Sequence, residues 1–71
     1  MSVTWIDNLA VGDLVVNKSE GLPALVLDKQ ETARAKYGNT VNKRYRFKLY
    51  LSDGEQGWIT ETSFRALYKL P

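Results

Sequence analysis

The sequence predicts an all-β fold, a small antiparallel barrel of five short strands, on three observations. Turn residues punctuate the chain at short intervals, at Gly12-Asp13, at Lys18-Ser19-Glu20-Gly21 and at Asp53-Gly54, and glycine supplies the positive φ that such tight turns need. Tyr45, Phe47, Leu49 and Leu51 alternate with Arg44, Arg46, Lys48 and Tyr50, the period of two of a strand with one buried and one wet face. A length of 71 residues makes one domain with a thin core, since a chain of this size hides only about 60% of the surface it exposes unfolded.

Each element follows from local chemistry. Gly12-Asp13 opens the first strand, Leu14-Val15-Val16-Asn17. The second covers residues 23–28, with Pro23 at its start, where a missing N–H is tolerated. Its Ala24-Leu25-Val26-Leu27 run is apolar on both faces and belongs at the centre of the sheet. Residues 44–51 form the third strand, and Asp53-Gly54 is a hairpin dipeptide that returns the chain into Gln56-Gly57-Trp58-Ile59-Thr60 as the fourth. Glu61-Thr62-Ser63 reads as a single 3₁₀ turn, and residues 64–68 read as the last strand. Residues 1–10 read as an N-terminal segment packing on a barrel of residues 11–71.

Residues 29–43 admit more than one reading. Helix formers over residues 31–37 with Gly38 behind them suit a short capped helix, whereas Tyr37-Gly38-Asn39-Thr40 suits the tip of a longer hairpin. A helix this short is marginal alone, and the segment is read as a flexible or partly ordered basic loop.

Composition excludes more functions than it suggests. The chain has no Cys and no His, which removes disulfides, thiolate nucleophiles, the usual zinc ligand sets and the imidazole base; no enzyme activity, metal or cofactor is expected. The longest apolar run, residues 22–27, is far below the roughly 18 residues of a membrane span. The first ten residues lack a basic start and an apolar stretch, unlike a secretory signal. The expected location is therefore inside a cell or within an assembled particle.

The order Val11-Gly12-Asp13-Leu14-Val15-Val16, a Pro-Ala-apolar strand, a Tyr-x-Phe-x-Leu strand, Asp53-Gly54 and Gly57-Trp58-Ile59-Thr60-Glu61 resembles the SH3-like barrel superfamily, with its Tudor, chromo-barrel and PWWP-type modules. The resemblance covers residues 11–70 and implies a five-stranded SH3-like barrel that acts as a non-catalytic binding module. A similar layout occurs in small proteins encoded by tailed bacteriophages, which implies an accessory or structural role. Methyl-lysine readers of this superfamily build an aromatic cage, because several π faces hold the ammonium at once. Here the loop 17–21 has no aromatic residue, and Trp5, Tyr50 and Trp58 supply two walls at most.

Charge is the strongest functional signal. Residues 29–48 hold seven of the ten Lys and Arg against one acid, Glu31, a local +6 that leaves −4 for the rest. By the period of two, Arg44, Arg46 and Lys48 project from one strand face and Tyr50 continues the row. That face either keeps a solvated sheet from aggregating or binds. The candidate binding residues are Lys36, Lys43, Arg44, Arg46, Lys48, Tyr50 and Trp5, with a protein as the leading partner and nucleic acid, through the same basic face, as the alternative. Trp5 either closes the barrel end or anchors a partner. Trp58 and Phe64 are assigned to the core or its lid, because large aromatics dominate burial in small domains. Asp53 and Asp13 are explained by turn chemistry. Oligomeric state is not legible.

Overall fold

The computed structural model describes residues 5–71; residues 1–4 of the N-terminal segment lie outside the described residues. A short helix α1 (Trp5–Asn8) precedes strands β1 (Leu14–Asn17), β2 (Pro23–Tyr37), β3 (Thr40–Leu51) and β4 (Gln56–Thr60), followed by helix α2 (Glu61–Leu67) and strand β5 (Tyr68–Lys69). All pairings are antiparallel, and the sheet order is β4-β3-β2-β1-β5. The sheet curls into a half-barrel, so the all-β barrel architecture stands.

The register explains which side chains are inside. Val15 faces Ala24, Ala24 faces Leu51, Val26 faces Leu49 and Phe47 faces Ile59. These rows carry the buried Val15, Ala24, Val26, Phe47 and Leu49, which join Ile6, Leu9, Phe64 and Tyr68 in one core. Phe64 is its hub: its ring stacks on Phe47 at 4.5 Å and on Tyr68 at 5.4 Å, and Trp5 tilts against it at 5.5 Å. The two helices thus close the open side of the sheet with aromatic surface, the large payload a small core needs.

Three expectations are corrected. Residues 61–67 are an α-helix, where a 3₁₀ turn and the start of a strand were expected, and the last strand is only Tyr68–Lys69. Thr60 caps the helix, its hydroxyl accepting from the Ser63 N–H at 3.5 Å. Phe64 is wholly buried on one face, and Arg65 pairs with Glu61 one turn back at 3.0 Å, so packing and local chemistry hold a helix too short to form alone.

Residues 29–43 are not a loop. They belong to the long β2-β3 hairpin, which pairs without a gap at its tip from Ala33↔Arg44 to Tyr37↔Thr40. Gly38 turns the chain at φ 59, the first central position at which a two-residue II′ hairpin takes glycine. Two register shifts in β2, between Val26 and Asp28 and between Glu31 and Ala33, bend and twist this arm as bulges do. The arm stretches the molecule to 43 × 22 × 18 Å, with a radius of gyration of 12.7 Å against about 11 Å for a compact chain of this length.

Trp58 is the third correction: it is 41% exposed and outside the core. Ile59 takes the inward position opposite Phe47, which turns Trp58 outward opposite Lys48.

Candidate binding face

The outer face of the sheet is built row by row. Leu14, Leu25, Tyr50 and Gln56 are neighbours across four strands; Asp28, Lys48 and Trp58 form the next row, and Gln30, Arg46 and Thr60 the one after. Leu14 and Tyr50 are 53% and 43% exposed. An apolar strip therefore borders a cationic one, and Trp58 and Tyr50 stand at the boundary.

Arg46 is held by neighbours on both flanking strands. Gln30, directly across on β2, accepts from its Nε at 2.9 Å and its Nη2 at 2.6 Å through one oxygen, Oε1. The guanidinium lies over the Trp58 ring, 4.4 Å from its centroid, a cation–π contact worth about 0.5–1 kcal/mol on an exposed surface. Held between Gln30 and the Trp58 ring, the guanidinium is pre-organised, so less entropy is lost when it binds an acceptor. Lys48 sits half-buried beside it and makes no hydrogen bond or ion pair among the described residues; Asp28, its cross-strand neighbour, accepts instead from the Lys29 N–H at 2.7 Å. Arg44 reaches toward Thr62 Oγ1 at 3.4 Å.

Not every cation of the 29–48 segment belongs to this face. Lys29 points inward: its ammonium donates to the Asp7 and Leu9 carbonyls at 3.0 and 2.8 Å and lies 4.5 Å over the Tyr45 ring. It ties α1 to the sheet by satisfying carbonyls at the helix end. Lys18 does the same for α2, its Nζ donating to the Arg65 carbonyl at 3.0 Å and its N–H to that of Leu67 at 2.8 Å. Arg34 is clamped by Glu31 through two bonds of 3.0 and 3.1 Å; this bond from the guanidinium holds the Glu31 carboxyl below its usual range and raises Arg34 in turn.

Of the residues singled out from sequence, the structure brings together Arg44, Arg46, Lys48 and Tyr50. Lys36 and Lys43 lie out on the hairpin arm, cross-strand from Val41 and Arg34, away from that cluster. Trp5 packs half-buried on Phe64 as part of the lid. Sequence reasoning missed Trp58 and Gln30. The signal for Trp58 was present, because the period of two cannot place both Ile59 and Trp58 inside.

Behind the face, Glu61 completes the sheet. β4 ends at Thr60, opposite Arg46, which would leave the next N–H of β3 without a partner; the Glu61 carboxylate accepts it, Tyr45 N–H at 3.0 Å, while holding Arg65 with its other oxygen. Asp53 and Asp13 accept the Glu55 and Ala10 N–H groups in their turns. Among the described residues no three acidic side chains gather to hold a metal ion, and no helix is long and apolar enough to cross a membrane.

Comparisons with family models, with curated proteins and with solved structures give no match.

Proposed function

We propose that this chain is a non-catalytic protein-binding module, of the SH3-like kind its motifs resemble, that seats an acidic, apolar-bearing protein segment on the outer face of β3 and β4. The observation that carries this reading is the Arg46 guanidinium fixed on an exposed Trp58 by Gln30. Trp, Tyr and Arg are the residue types that dominate interface hot spots, and here Trp58, Tyr50 and Arg46 stand on one face of paired strands. The occupant's chemistry follows from its surroundings. Leu14, Leu25 and Tyr50 offer apolar contact on one side, and Arg44, Arg46 and Lys48 outnumber the one acid of the face, Asp28, on the other.

The test is selection of short peptides against the protein, followed by titration of the selected peptides into Trp58→Ala and Arg46→Glu. Selected sequences should be rich in Asp or Glu beside Leu or Phe, and both substitutions should weaken binding at least tenfold, about 1.4 kcal/mol or more. Peptides that bind both variants as well as the parent protein would refute the assignment. A nucleic-acid strand on the same face is the competing occupant, and it is separated by affinity that falls steeply with salt.

A further inference from the structure

The hairpin arm lies apart from this face and is unexplained by it. Between residues 30 and 44 no side chain is buried, and only Ala35 is half-buried. A two-stranded ribbon without a hydrophobic face is at best marginally stable in water, yet this one continues well past the body of the sheet. Its cations stand on both strands: Arg34 and Lys36 on β2 and Lys43 on β3 share one face of the ribbon with Val41, while the opposite face carries Arg44 with Ala33, Ala35, Tyr37, Thr40 and Asn42. Glu31, the one acid of this stretch, is already bound by Arg34. Lys36 and Lys43 are exposed, and their side chains make no hydrogen bond or ion pair among the described residues.

We propose that the β2-β3 arm binds double-stranded DNA by entering its major groove. The major groove, about 12 Å wide, admits a two-stranded β-ribbon, and a ribbon lying in it brings each strand near one of the two phosphate walls. Cations on both strands match that arrangement, and the face of Ala33, Ala35, Thr40 and Asn42, with only Tyr37 at the tip and Arg44 at the root as large side chains, permits close approach to the base edges. A single strand has one phosphate backbone and would use only one side of the arm. The surface shares only Arg44, at the root of the arm, with the outer face and is otherwise separate from Arg46 and Trp58, so Lys36 and Lys43 can be changed without touching the peptide site.

The experiment is a fluorescence-anisotropy titration of the whole protein with a labelled DNA duplex and with one strand of it, between about 50 and 200 mM salt. With three cations free of ion pairs on the arm, Lys36, Lys43 and Arg44, affinity for duplex should fall with a log–log slope of about −3, at roughly 0.9 per neutralised phosphate. Lys36→Ala/Lys43→Ala should bring the slope to about −1 and weaken duplex binding about tenfold or more at the lower salt, while retaining its melting temperature and its affinity for the selected peptides. Bound protein should shield guanine N7, which lies in the major groove, from dimethyl sulfate. The proposal is overturned by no duplex binding at 50 mM salt, by tighter binding of the single strand, by duplex binding that the double variant leaves unchanged, or by binding without N7 protection. Loss of peptide binding in Trp58→Ala bears on the outer-face reading alone.

Discussion

Trp58 and Phe64 are both large aromatics in short segments, and their roles are opposite. Phe64 is wholly enclosed by Phe47, Tyr68 and Trp5, so Phe64→Ala should destabilise the protein by about 3–5 kcal/mol. Trp58→Ala removes an exposed ring and one surface cation–π contact and should cost about 1 kcal/mol or less. Paired denaturant titrations check the contrast, and a Trp58→Ala loss as large as that of Phe64→Ala would place the indole inside the core. Tyr45 carries a second expectation at this scale. Burial, and then the Asp7, Glu31 and Glu61 carboxylates, push its hydroxyl above the usual value, partly offset by Arg34. A folded pKa above the unfolded one stabilises the fold in full below about pH 10 and loses that contribution as pH rises through the folded value. An ultraviolet titration of tyrosinate should therefore contain a late component that Tyr45→Phe removes; an unchanged curve in Tyr45→Phe would contradict it.

Among the elements, α2 and the arm show where local sequence stops deciding structure. Thr60 is a good N-cap and Glu61 and Arg65 are correctly spaced, but seven residues do not hold a helix without the burial of Phe64, which only the folded sheet provides. Thr60→Ala should cost about 1 kcal/mol through loss of the cap. Glu61→Ala should cost more, about 1–3 kcal/mol, because it also orphans the Tyr45 N–H that the end of β4 leaves unpaired; thermal melts of the two variants give the order. The arm was legible only as the alternative to a loop, through the hairpin tip at Tyr37-Gly38-Asn39-Thr40. Ala33, Ala35 and Tyr37 alternate with Arg34 and Lys36, but residues 31–37 are also good helix formers, and what decides for strand is the register set by β2 and β3 lower in the sheet and the turn at Gly38. Having no core of its own, the arm should open independently. Amide hydrogen exchange should be faster over residues 33–44 than at Val26, Phe47 and Leu49, and equal protection would show the arm to be part of the same cooperative unit.

At the scale of the molecule, the curled sheet, the first strand, the fourth strand and the inward row of β3 were all legible, because alternation and turn residues act locally. The cationic row Arg44, Arg46, Lys48 was legible for the same reason. Its partners were not: Gln30 lies 16 positions away from Arg46, and Trp58 reaches the row through strand pairing. The same distance effect removed Lys29 and Lys18 from the pool of free charge, since each satisfies the end of a helix remote in sequence. What emerges is a thin-cored body with two differently equipped surfaces, an aromatic and cationic sheet face and a basic ribbon. The most direct test of the sheet face is a backbone-amide and indole NMR titration with a selected acidic peptide. Perturbations should centre on Arg46, Lys48, Tyr50 and the Trp58 indole N–H and spare residues 33–43; perturbations confined to the arm, or a Trp58 indole signal unmoved at saturation, would contradict the assignment.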